Sequence, residues 1–289
     1  MLFRSIGALH SAPTDFGPHC IDAINTWYGR GELPIGGMMW KNYETAPEYQ
    51  LYRNAAAYVA EHGHDYVEAV AKNFPHTRTV EGAPIPNTVT QYRKLLARAE
   101  DGSITICAVG QLSGIAGLLD SQPDKFSPLS GEELVQRKVK RLVSMAMGVW
   151  PRGKDTFNWA ADLASAVRVV NNWPVELVVS PSGEDILTGG KLVTEGPAAN
   201  PVRLAYEIYT LRAPYLRSSW DQCAALYAVK GPGDLWTERR GWRVEIDPAT
   251  GEHKWIEDAT SKQICLEQVA SSEAIAKVIQ ELMERPPQG

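Results

Sequence analysis

Four stretches of this chain carry residue types and spacings that do chemistry. In Ser218-Ser219-Trp220-Asp221-Gln222 a carboxylate and a flat indole stand together where an apolar-periodic segment begins. A carboxylate there either ligates a metal or sits in a helix's first turn and gains from the helix dipole, while Trp220 offers a wall for a ring. Phe157-Asn158 follows a loop containing Gly153, Lys154 and Asp155. The Asn158 amide, donor and acceptor at once, either holds sugar hydroxyls or caps a helix beginning near Ala160. Gly110-Gln-Leu-Ser-Gly114 could turn backbone N–H groups toward an anion, although a tight strand-to-helix turn is the simpler account. His62-Gly-His64 with His76 lacks a Cys or a carboxylate pair at ligand spacing, so solvated histidines suit it better than a metal. No GxGxxG, GxxxxGK[ST], GxSxG or HExxH pattern occurs, which removes the commonest nucleotide, hydrolase-elbow and zincin signatures.

The elements that must position these residues follow from hydrophobic periodicity. Strands are expected at Ser103–Val109, Arg141–Met147 and Val175–Ser180, all rich in β-branched or apolar residues. Between them lie helical patterns: Leu112, Ile115, Ala116 and Leu119; Glu132–Lys140; and Asp162–Asn171, with Leu163, Ala166, Val167 and Val170 on one face. Strand, helix, strand in one direction implies right-handed crossovers and a mostly parallel sheet. Ligands bind beyond the carboxyl ends of such strands, which points to the loops after Val109, Met147 and Ser180. Further helices are expected at Asn54–Lys72, Asn87–Glu100, Pro201–Leu211, Trp220–Lys230 (with Ser219 as its N-cap) and Ser271–Glu284. Residues 235–266 turn β-like around Pro248–Gly251 and read as a hairpin-like excursion within a single domain spanning 1–289.

The chain has 289 residues, 44% of them hydrophobic and 22% charged, with net charge −5. That suits a folded α/β protein and excludes wholesale disorder. The acidic balance, with no long basic run, disfavours a nucleic-acid backbone as partner. No run of about 18 apolar residues exists, so no membrane partner is expected. Four scattered cysteines without a CxxC pair fit reduced thiols in a cytoplasmic protein.

In their order and spacing these stretches resemble the inosine–uridine-preferring nucleoside hydrolase family over nearly the whole chain. Ile21–Gly36 is similar to its helix and strand after the second strand, SITICAVGQLSGIAGLL to its TGPLTNIA segment and RLVSMAM to its MGG strand. DTFNWAADLASAV is similar to its EFNxxxDPEAA segment, and SSWDQCAALYAV to its HDPLA-type segment with Trp in place of His. The resemblance implies a mainly parallel Rossmann-like sheet flanked by helices, and Ca²⁺-dependent hydrolysis of the N-glycosidic bond of ribonucleosides, as in nucleoside salvage. It also implies a small-molecule ribonucleoside as partner and a homo-oligomer. Position by position, Asp221 matches the carboxylate ligand of Ca²⁺ and Val109 the residue whose carbonyl ligates the metal. Asn158 matches the Asn that binds ribose, Met145 the Met of the strand beneath the sugar, and Trp220 becomes a stacking wall.

Three departures shape the expectation. The family's N-terminal DxDxxxDD motif, source of its other metal carboxylates and its catalytic base, is absent, and Met1–Ser11 aligns with the second strand, so the first strand is missing. Thr156 stands where the family has a ribose-binding Glu, and Trp220 where it has a His near the leaving base. Asp15 is a single acid that approaches the site in sequence terms. With 6–8 oxygen ligands needed by Ca²⁺, the metal is expected to bind weakly or not at all. Loss of a central strand implies a poorly stable chain. The two functional readings are an N-ribosyl hydrolase and a non-catalytic nucleoside- or sugar-binding homologue.

Overall fold

The computed structural model describes residues 5–11, 16–38, 66–79, 84–146, 148 and 150–285. Asp15, His62 and His64 lie outside them, as do most of the segment expected to be helical from Asn54 and the end of the strand expected to run to Met147. In chain order the first elements are β1 (Ala8–Leu9), α1 (Gly17–Trp27), β2 (Ile35–Gly36), α2 (Tyr66–Asn73) and α3 (Thr88–Arg98). An alternating stretch follows: β3 (Ile104–Ala108), α4 (Ser113–Leu119), α5 (Gly131–Lys138), β4 (Val139–Met145), β5 (Arg152–Lys154), α6 (Asn158–Ala161), α7 (Leu163–Val170) and β6 (Glu176–Ser180). Then come β7 (Leu187–Thr188), α8 (Gly190–Glu195), α9 (Pro201–Thr210), β8 (Arg217–Ser218) and α10 (Trp220–Lys230). The chain closes with β9 (Trp236–Arg239), β10 (Trp242–Ile246), β11 (Glu252–Glu257), β12 (Gln263–Gln268) and α11 (Ser272–Met283). No helix among the described residues is long and apolar enough to cross a membrane.

The chain divides into two compact units. One comprises Met1–Gln91, Asp185–Ser219 and Ser272–Gly289. In it β1 and β2 pair in parallel, β7 and β8 pair antiparallel, and Cys20, Ala23 and Val70 form a small core. The buried Asp22 carboxylate ties α1 to the loop after α2 by accepting the backbone N–H groups of Thr77, Arg78 and Thr79 at 3.0, 2.7 and 2.7 Å.

The second unit, Tyr92–Glu184 with Trp220–Ser271, holds a five-stranded sheet in the order β3-β4-β6-β12-β9. The first four strands run in parallel and β9 is antiparallel to β12. Because side chains alternate along each strand, Ile106, Ala108, Leu142, Leu177 and Val179 share one face. There they join Leu112, Ile115, Ala166, Val169 and Trp159 in the main core. The hairpin β10–β11 adds Val244, Ile246 and Trp255 to that core and pairs with β5. Helix α10 covers the opposite face, with its N-terminal turn toward the carboxyl end of β3 and its later turns toward the start of β4. Asp221 acts on Cys107 near the first, and the Arg141 guanidinium donates to the Tyr227 hydroxyl at 3.3 Å near the second.

Caps set the helix starts that aim the loops. Ser130 and Glu133 form a reciprocal capping box at α5, and Asp162 accepts the Ser165 N–H at the start of α7. Strand β4 begins at Val139, two residues ahead of the expected Arg141, because α5 passes directly into extended backbone at the buried Val139.

Candidate functional site

Parallel pairing brings three strand ends level. Ala108 pairs with Ser144 and Ser144 with Val179, while Met145 pairs with Ser180. Val109, Met145 and Ser180 therefore stand in one row at the carboxyl edge of β3, β4 and β6. Met145 is buried, and Val109 is 39% exposed, so solvent reaches the β3 end of this row.

Asn158 is attached to the same row. It opens α6 but does not cap it; the cap position is Phe157, which makes no side-chain cap bond. The Asn158 side chain is buried, and its Nδ2 lies 2.8 Å from the Met145 sulfur and 3.5 Å from the Met145 carbonyl oxygen. Neighbouring groups fix the turn that presents it. The Asp155 carboxylate accepts the backbone N–H groups of Phe157 at 3.0 Å and Trp159 at 2.8 Å, and the Trp159 indole donates to the Ser144 hydroxyl at 3.2 Å. Thr156, inside this turn, is exposed.

Asp221 and Trp220 form the first turn of α10. Asp221 is exposed and Trp220 half-buried. The Asp221 charge is felt at two thiols. Surrounding protein and then Asp221 push Cys223 up to about 12, and the same two causes bring Cys107 to about 12 although it keeps solvent contact. Both remain protonated at neutral pH, so neither is a thiolate nucleophile. The proposed N-cap Ser219 spends its hydroxyl on Thr188 Oγ1 at 2.7 Å, within the first unit.

The oxygen donors at this edge are few for Ca²⁺. Asp221 is an acid and Val109 contributes a carbonyl, but no group of three His, Cys, Asp or Glu that could hold a metal gathers among the described residues. That falls short of the 6–8 oxygens that Ca²⁺ takes, so the described residues do not fit the ion. His76, from the histidine-rich stretch, is held by structure: its Nε2 lies 2.6 Å from the Ala71 carbonyl oxygen and its Nδ1 3.2 Å from the Thr79 hydroxyl.

Two residues at this edge carried no signal of their own in the sequence. Gln111 lies in the loop from β3 to α4, is 3% exposed, and leaves both its amide oxygen and nitrogen without a hydrogen bond. His253 of β11 is also buried, with Nδ1 unpaired. Its ring packs edge-on against Trp159 at 5.7 Å, and a Cβ placed on Gly148 would meet its Nε2 at 2.8 Å. Burial lowers the His253 pKa, against the opposing pull of Asp155. An unpaired buried polar atom costs about 1–3 kcal/mol, so such groups mark either strain or a missing partner. Only the Gly110–Gly114 loop, flagged for its glycines, pointed near Gln111.

No protein-family model and no curated protein matches the chain. Among solved structures, the type III effector protein XopQ, crystallised in complex with adenosine diphosphate ribose, superposes with a TM-score of 0.60 at 12% identity, over 97% of this chain and 81% of XopQ. At that identity the likeness speaks to architecture: this chain has a mixed α/β fold with a mostly parallel central sheet, similar to that of XopQ.

Proposed function

We propose that this protein binds a ribosylated small molecule, a nucleoside or an adenosine diphosphate ribose-like compound, at the carboxyl edge of β3, β4 and β6. The observation that carries this reading is Asn158. A buried amide with a second polar valence is anchored on Met145 at the end of the interior strand β4, and its oxygen accepts no hydrogen bond among the described residues. Sheets of this kind take their ligands at that edge, and the ligand of the structurally similar XopQ contains ribose. In this reading Asn158 holds a sugar hydroxyl, Trp220 lies against a ring, and Asp221 favours the neutral or cationic part of the ligand.

Hydrolysis of the N-glycosidic bond, within the inosine–uridine-preferring type, is the second reading. It is favoured by Asp221, whose negative charge at the edge of β3 would stabilise an oxocarbenium-like transition state. Binding without turnover is the reading that the buried Asn158 amide supports most directly. Titration with adenosine, inosine, uridine and adenosine diphosphate ribose, beside a reducing-sugar assay with and without chelator, separates the two. Saturable binding without released ribose supports the first; chelator-sensitive release supports the second.

A further inference from the structure

We infer that Gln111 is a ligand-contacting residue that recognises the vicinal hydroxyls of the ribosyl group. This rests on the proposed binding of a ribosylated molecule. Gln111 follows β3 by three residues, at the same edge as Val109, Met145 and Asn158. Both polar atoms of its amide are buried and unpaired, an arrangement that folding alone disfavours, since Met or Leu would fill the volume with nothing left to satisfy. Solvent reaches Val109 two residues earlier, and the Gln111 side chain has three rotatable torsions through which its amide can reorient.

The chemistry of the partner follows from the group. An uncharged amide offers one acceptor and two donor hydrogens side by side, which matches a pair of adjacent hydroxyls, each able to donate and accept. A phosphate fits less well, because the Asp221 carboxylate lies at the same edge of β3, close enough to raise the Cys107 pKa. The sugar therefore faces Gln111, and any phosphate points away from it.

The test compares wild type with Gln111→Met, and with Gln111→Leu should Met fail to fold, by calorimetric titration and thermal unfolding. The probes are adenosine diphosphate ribose and its 2′-deoxyribosyl analogues, one at each sugar. The expected result is a Tm a few degrees higher for the variant, with affinity for adenosine diphosphate ribose at least about tenfold weaker. In wild type, removal of one 2′-hydroxyl costs about tenfold, and in the variant that cost disappears. A lower Tm with unchanged affinity would overturn the inference, because the amide would then be a structural group. So would a higher Tm with unchanged affinity. Wild-type protein that binds neither adenosine diphosphate ribose nor a nucleoside would instead overturn the underlying binding proposal, and this inference with it.

Discussion

The Asn158 amide nitrogen lies 2.8 Å from the sulfur of Met145, joining the start of α6 to the last residue of the interior strand β4. The contact holds a polar group at the edge where three parallel strands end. A sulfur acceptor is weak, so the amide is placed without being fully spent.

Replacing Asn158 with Leu keeps the number of side-chain heavy atoms and removes the amide. The ligand should then bind about 10–100-fold more weakly, the cost of one or two hydrogen bonds in a buried site. Circular dichroism and Tm should stay near wild type, since the lost partner is a thioether. Equal affinity in titration calorimetry would take Asn158 out of the site.

Trp220 is half-buried at the start of α10. If it lies against the base, Trp220→Ala should weaken adenosine binding by about 1–3 kcal/mol and leave ribose 5-phosphate binding unchanged. Parallel losses for both ligands would place the indole elsewhere.

Gly148 has no room for a side chain, because an added Cβ would approach His253 Nε2 at 2.8 Å and Cε1 at 2.9 Å. Gly148→Ala should destabilise the protein by about 1–3 kcal/mol. In a His253→Ala background the same substitution should cost less, and urea unfolding of the four-protein cycle reads the difference. Additive costs would show that the two residues do not meet.

Acid should weaken the fold before most carboxylates titrate. Burial brings His10 down to about 4 and lowers His253 in the same direction, whereas both titrate near ~6.5 once unfolded. The unfolded chain therefore binds more protons below that value. Stability is complete above about pH 6.5 and falls as pH drops toward 4, by about 3 kcal/mol for His10 alone. Urea midpoints should decline between pH 7.5 and 4.5, and less so in His10→Gln. A flat profile would mean that neither ring is buried neutral.

Much of the second unit was legible because its signals are local. The β3, β4 and β6 segments are short apolar runs, and α4, α7 and α10 follow from 3.6-residue periodicity. Helix α10 spans Trp220–Lys230, as its pattern implied. Start points were less legible: β4 begins at Val139 because nothing in the sequence separates the end of α5 from the strand. Asn158 was picked out by its amide in the loop after a strand as well as by motif resemblance, Met145 by the resemblance alone, and their contact needed the fold. Gln111 and His253 could not be found that way. A single Gln in a turn and a single His in a hairpin are ordinary on paper, and only burial without a partner distinguishes them. Residues 235–266 held a second lesson, since β9 and β12 complete the central sheet while only β10 and β11 form the hairpin.

The measurement that bears most directly on the central claim is calorimetric titration of the wild-type protein with adenosine diphosphate ribose and with adenosine. The account predicts saturable one-to-one binding to at least one of them, with a Kd tighter than about 1 mM that Asn158→Leu weakens. Absence of binding to both ligands up to that concentration, by a protein that unfolds cooperatively, would contradict it.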